Sequence, residues 1–100
     1  MSTIPTEIPT GLTAYARSPD FTPDNLPPRL QAAHSTKAGT WGLLRVLEGK
    51  ILYQLEIPFE GEQLIAAGEC VVIESEVPHH VEFVERGRFF IEFYRRADMI

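Results

Sequence analysis

Three histidines and one acid set among aromatics are the residues of this 100-residue chain best suited to chemistry: His34, the pair His79-His80, and Glu92 in the run RFFIEFY. Side chains alternate along a strand, so in HHVEFVE the imidazole of His79 shares its face with Val81 and Phe83. His80 shares the other face with Glu82 and Val84. His79 is therefore the inward one, and His80 reads as a surface residue. An unpartnered buried polar group costs about 1 to 3 kcal/mol, so His79 needs either a metal ion or a hydrogen bond to a backbone carbonyl. Glu92 lies between Phe90 and Tyr94, where a carboxylate is expensive unless it is paired, hydrogen-bonded or metal-bound. A salt bridge to Arg45, or an orientation toward solvent or a subunit interface, is the plainer account. Around these groups Tyr53 offers a hydroxyl, Trp41 a wall and Arg45 an anion clamp. The plainer readings are core packing for Trp41 and a surface or interface ion pair for Arg45. Lys37, in a turn with Thr36 and Gly39, reads as solvated.

Strands must position these residues. Short runs rich in Val, Ile, Leu and Phe, separated by turn residues, predict strands over residues 30–34, 41–47, 50–56, 63–66, 69–73, 79–85 and 88–94. Glu48-Gly49 and Arg86-Gly87 predict hairpins, because Gly supplies the positive φ of a tight turn. No run longer than a turn carries apolar residues at helical spacing; Thr22-Pro23-Asp24 has the chemistry of a cap on one helical turn. The Thr- and Pro-rich start predicts an extended arm over residues 1–13, followed by one all-β domain over 14–96 and a tail over 97–100. Regularly spaced short strands predict a sandwich or barrel.

The net charge of −5 argues against a nucleic-acid footprint, which needs a basic stripe. The only cysteine, Cys70, sits in an apolar run, so it reads as a small buried hydrophobe and gives no internal disulfide. With neither a signal-like start nor an apolar run of about 20 residues, the expectation is a cytoplasmic protein without a membrane partner. No nucleophile stands beside a base, no Gly-rich loop follows a strand, and no CxxC or HxxxH spacing occurs.

HSTKAGTWGLLRVLEGKILYQL, followed by VPHHVEF and RFFIEFYRR and preceded by AYARSPDFTPDNLP, resembles the TehB/YeaR-like family of small cupins, named for tellurite-resistance proteins that carry this domain. The resemblance runs from about Leu12 to Arg95. It implies a cupin-like double-stranded β-helix, a jelly-roll barrel. Laid on the cupin motifs, Gly68 and His79 keep the spacing of the second, with Glu74 and Glu76 where Pro and Gly are usual. In the first, His34 keeps its place, Thr36 and Trp41 replace two ligands, and Gly49 comes one residue late. The resemblance implies a divalent metal (Zn, Fe, Mn or Ni) on His34, His79 and Glu92, the last taking the part of the missing acid. Trp41, Arg45 and Tyr53 would then face a small-molecule ligand.

The function expected on this basis is a small stand-alone cupin binding a divalent metal, a small molecule or both, in a stress or tellurite-resistance-like response. The alternatives are a metal-dependent cupin enzyme of the oxygenase or isomerase type, and a purely structural dimerising module. A homodimer is expected because Phe89, Ile91 and Phe93 would otherwise form an exposed patch on the last strand.

Overall fold

Alternating apolar residues in the second half of the chain form two strands longer than the molecule itself. In the computed structural model, which describes residues 4–31 and 34–99, the strands are β1 (Leu12–Arg17), β2 (Trp41–Leu55), β3 (Glu62–Ala66), β4 (Cys70–Ile73) and β5 (His79–Arg96). The only helical pieces among the described residues are two short 3-10 turns, Pro28–Gln31 and Ala97–Met99. The chain is all-β. The pairings are antiparallel, in the order β1-β5-β2-β3. β5 follows one edge of β2 from Trp41↔Tyr94 to Leu55↔His79. On the other edge β4 pairs with the first half (Gly42↔Ile73 to Arg45↔Cys70) and β3 with the second (Lys50↔Ala66 to Gln54↔Glu62).

A strand of 18 residues at about 3.3 Å per residue would run about 60 Å, yet the longest extent of the molecule is 38 Å. Both long strands must bend. They bend together, where the β2–β5 register shifts between Val46 and Ile51. Here the expected hairpins give way to a different use of the same residues. Gly49 takes a φ of 75° within β2 rather than ending it, and Gly87 lies within β5. A Cβ on Gly87 would stand 1.9 Å from the Glu48 carbonyl oxygen, and one on Gly49 would stand 2.3 Å from that of Arg86. The two glycines let the backbones nest where they cross, a bulge rather than two turns.

The bulge also corrects the parity of the alternation. Leu44 and Val46 before it and Ile51 and Tyr53 after it all face the core, although the two sets differ by an odd number of residues. From β5 the core takes Val81, Phe89 and Ile91, with Phe83 and Phe93 packed against it. The patch expected to drive a dimer is therefore not on the surface: Phe89 is fully buried and Ile91 nearly so. β5 runs unbroken through Gly87, so Phe89 and Ile91 keep the alternation of His79 and Val81 and face inward with them. The outer face carries Phe90, Glu92 and Tyr94 instead.

The segment expected as a strand over 30–34 is not one where it is described. Leu30 lies in the first 3-10 turn, His34 forms a single bridge to His79, and residues 32–33 lie outside the described ones. Thr22 caps a single turn, its Oγ1 accepting from the Asp24 N–H at 3.2 Å, as its chemistry suggests. Near the start of the chain the Val72 N–H donates to the Pro5 carbonyl at 2.8 Å and Ile4 packs on the core.

Candidate functional site

His34 and His79 meet through their backbones. Each N–H donates to the other's carbonyl, at 2.9 Å from His34 and 2.7 Å from His79, which ties the segment after the first 3-10 turn to the start of β5. Their rings stand edge to face with centroids 5.5 Å apart. His79 is 3% exposed, and its Nδ1–H donates to the Val77 carbonyl at 2.9 Å. That bond fixes the tautomer and leaves Nε2 as an acceptor. Burial holds the His79 pKa below its ordinary value; the Val77 carbonyl opposes the shift, and His34 and His80 add to it. His34 is also lowered, first by burial and then by the field of Arg29. Both imidazoles are neutral at pH 7.

Behind His79 the ring of Tyr53 stacks at 5.3 Å, 29° from parallel. Tyr53 is fully buried, and its hydroxyl is the one buried side-chain polar atom among the described residues with no hydrogen-bond partner. Desolvation raises its pKa, with Glu74 adding to the effect. It is a neutral phenol.

In front of the histidines lies a recess of ≈ 300 Å³. Phe21, Leu30, Ile73, Ile91 and Phe93 form its apolar walls, with His34, His79, Ser18, Thr36 and Arg29 as the polar points. A second, shallower recess shares His34, Thr36 and Phe93 with the first and extends to Ser35, Lys37, Thr40, Tyr15 and Arg95.

The other residues singled out by the sequence lie elsewhere. Glu92 is on the outer face of β5, where it accepts from Arg45 Nε at 2.6 Å; this bond is the first cause of the raised Arg45 pKa. Glu92 neighbours Ile91, which lines the recess, so alternation sends its carboxylate to the opposite side of the sheet. Trp41 pairs across to Tyr94 on that outer face and does not line the recess. The structure thus brings together His34, His79 and Tyr53 but not Glu92, Trp41 or Arg45. His80, on the outer face, is bonded to Glu56.

Two imidazoles without a converging carboxylate do not make the expected site for a divalent metal. No group of three His, Cys, Asp or Glu among the described residues could hold an ion. The metal reading of His34, His79 and Glu92 is corrected on this ground. Sequence reasoning also passed over Arg29 and Arg95. A signal for Arg95 was present, since it continues the Ile91, Phe93 alternation of the inner face; Arg29, on a 3-10 turn, left none.

Fold and site together define a small antiparallel β domain with a recess of mixed apolar and polar lining in front of two buried histidines. The model of the family described as the TehB-like domain matches residues 16–91, and the chain belongs to the TehB-like family. It is 37% identical over 75 residues to the "Probable S-adenosyl-L-methionine-dependent methyltransferase TehB" of Haemophilus influenzae, a match covering 74% of this chain and 23% of that protein. A second strain's protein of the same name is 39% identical over the same shares. The crystal structure of TehB from Haemophilus influenzae superposes with a TM-score of 0.79 at 30% identity, covering 87% of this chain and 32% of that one. A protein from E. coli (strain K12) superposes at 0.78 with 25% identity, covering 88% of this chain and 94% of that one. The chain spans about a quarter of the length of the curated relatives it matches. Their name points to methyl transfer with S-adenosylmethionine, not to the metal-binding cupin expected from the sequence, and that expectation is set aside together with its divalent cofactor. No helix among the described residues is long and apolar enough to cross a membrane.

Proposed function

We propose that this chain is the small-molecule-binding β module of a TehB-type, S-adenosylmethionine-dependent methyltransferase system. The creased sheet supports reading its architecture as a jelly-roll-like enclosure. The observation that carries the function is the recess in front of His34 and His79, whose ≈ 300 Å³ lies at the small end of ligand sites and whose lining mixes apolar walls with a few polar points.

The methyl donor itself does not fit that recess. S-adenosylmethionine carries a sulfonium cation and a ribose. Sites for nucleoside cofactors use a glycine-rich turn between strand and helix and an acid on the ribose, but no Asp or Glu lines the recess and its nearest charge is the cation Arg29. No step is therefore assigned to S-adenosylmethionine on these residues. What the chain's own groups can do is bind and orient: Phe21, Ile91 and Phe93 exclude water, while neutral His79 presents Nε2 as an acceptor.

Chemical-shift mapping tests this reading. A library of apolar fragments carrying one polar group should shift the amides of His79, Ile91 and Phe93, and S-adenosylmethionine should leave them unmoved. Saturation of those amides by S-adenosylmethionine, or no response to any fragment, would overturn it.

A further inference from the structure

We infer that the ligand of this recess is a small organic anion, a carboxylate with an apolar body, received by Arg29, Lys37 and Arg95; the inference rests on the small-molecule reading above and narrows it.

The chain has nine Lys and Arg against 14 Asp and Glu, so a cation finds a carboxylate easily. Six do: Arg17 and Arg88 on Asp20, Arg45 on Glu92, Lys50 on Glu85, Arg86 on Asp24 and Arg96 on Asp98. Among the described residues the three without a carboxylate within salt-bridge distance are Arg29, Lys37 and Arg95. All three line the two adjoining recesses, which share His34, Thr36 and Phe93: Arg29 the deeper one, Lys37 and Arg95 the shallower. Neither recess is lined by an Asp or Glu. In an acidic chain, a rim of cations facing no acid focuses a positive potential on one opening.

Arg95 is also held in place. Its Nε donates to Thr40 Oγ1 at 2.9 Å, and its guanidinium lies 4.9 Å from the centre of the Tyr15 ring. Thr40 is fixed in turn, since the Thr36 hydroxyl donates to its carbonyl at 2.7 Å. With Nε occupied, the terminal nitrogens remain for the forked grip on a carboxylate that guanidinium geometry suits. The apolar walls of Phe21, Leu30, Ile73, Ile91 and Phe93 take up the body of such a molecule.

The probe pair is hexanoate and hexanamide, equal in size and differing in charge, titrated at pH 7 into the isotope-labelled full chain. Hexanoate should shift the amides around Phe93 and Arg95 and bind at least about tenfold more tightly than the amide, as expected for charge-assisted hydrogen bonds. Arg29→Gln and Lys37→Gln, both at exposed positions, should each weaken hexanoate about threefold and leave hexanamide unchanged. Arg95→Gln should cost more; its thermal midpoint is measured alongside to show that it folds. Equal binding of the two probes would overturn the anion inference while leaving the small-molecule module standing. Binding of neither would overturn the anion inference, and the fragment library then decides whether the small-molecule module stands.

Discussion

The two faces of the creased β2–β5 sheet contrast sharply. On the inner face Leu44, Val46, Ile51, Phe89 and Ile91 are buried in one cluster with Tyr53 and close to His79, and the polar groups there have few partners or none. On the outer face polar groups are paired, Arg45 with Glu92 and His80 with Glu56, and the ring of Phe90 is covered by the Arg17 guanidinium 3.8 Å away. His79 and His80 are adjacent in sequence yet live under these opposite rules. A polar side chain facing away from the core can find a counter-charge on the surface. One facing inward depends on the backbone or on something brought in from outside.

The largest test of this contrast is a pair of truncations. Phe89→Ala should lower stability by about 3 to 5 kcal/mol through the cavity it leaves, whereas Phe90→Ala should cost only about 1 kcal/mol, the scale of an exposed cation–π contact. Urea denaturation of both variants checks it, and equal losses would break the distinction. Tyr53→Phe comes next. It removes the unpartnered hydroxyl and should raise stability by about 1 kcal/mol; a lower melting point would show that the hydroxyl has a partner and that the inner face is better satisfied than its side chains suggest.

The histidines give a smaller, pH-dependent effect. His34 and His79 have folded pKa values below the 6.5 they start from, so the unfolded chain binds more protons as pH drops past 6.5. Stability is full above that value, declines as pH falls from 6.5 toward the folded pKa, and then levels off. Thermal midpoints from pH 7.5 downward should show that decline, and His79→Gln should flatten it. The smallest change belongs to the outer face: Glu92→Gln breaks a partly exposed ion pair and should cost less than about 1 kcal/mol. Added zinc should not shift the melting point of either the parent or this variant.

Much of the inner face was legible because period-two alternation needs only local sequence. His79 with Val81 and Phe83 is the clearest case. The crease was not legible. Glu48-Gly49 and Arg86-Gly87 have the composition of hairpin turns, and what makes them a bulge is their meeting each other, a contact between residues far apart in the chain. Phe89 and Ile91 lie inside rather than on a dimer face because they keep the alternation of His79 and Val81 through Gly87. Glu92 was legible as an acid in need of a partner and Arg45 as a candidate for it; the metal reading of Glu92 rested on the strand neighbours that the resemblance implies, and strand adjacency carries no information about which side of the sheet a carboxylate takes. Glu76 shows the converse. It has a φ of 63°, a left-handed conformation that glycine adopts more readily than other residues, so the residue type concealed the turn made there.

The crease also has a kinetic meaning. His79 and Ile91 lie in opposite halves of β5 and become neighbours in one recess only after β2 and β5 have paired along their length and folded over at Gly49 and Gly87. Pairings between distant parts of a chain form slowly, and the recess is complete only once those of β2 and β5 are in place. A molecule that binds only the completed recess stabilises the folded state, and it should slow unfolding more than it changes the rate of folding.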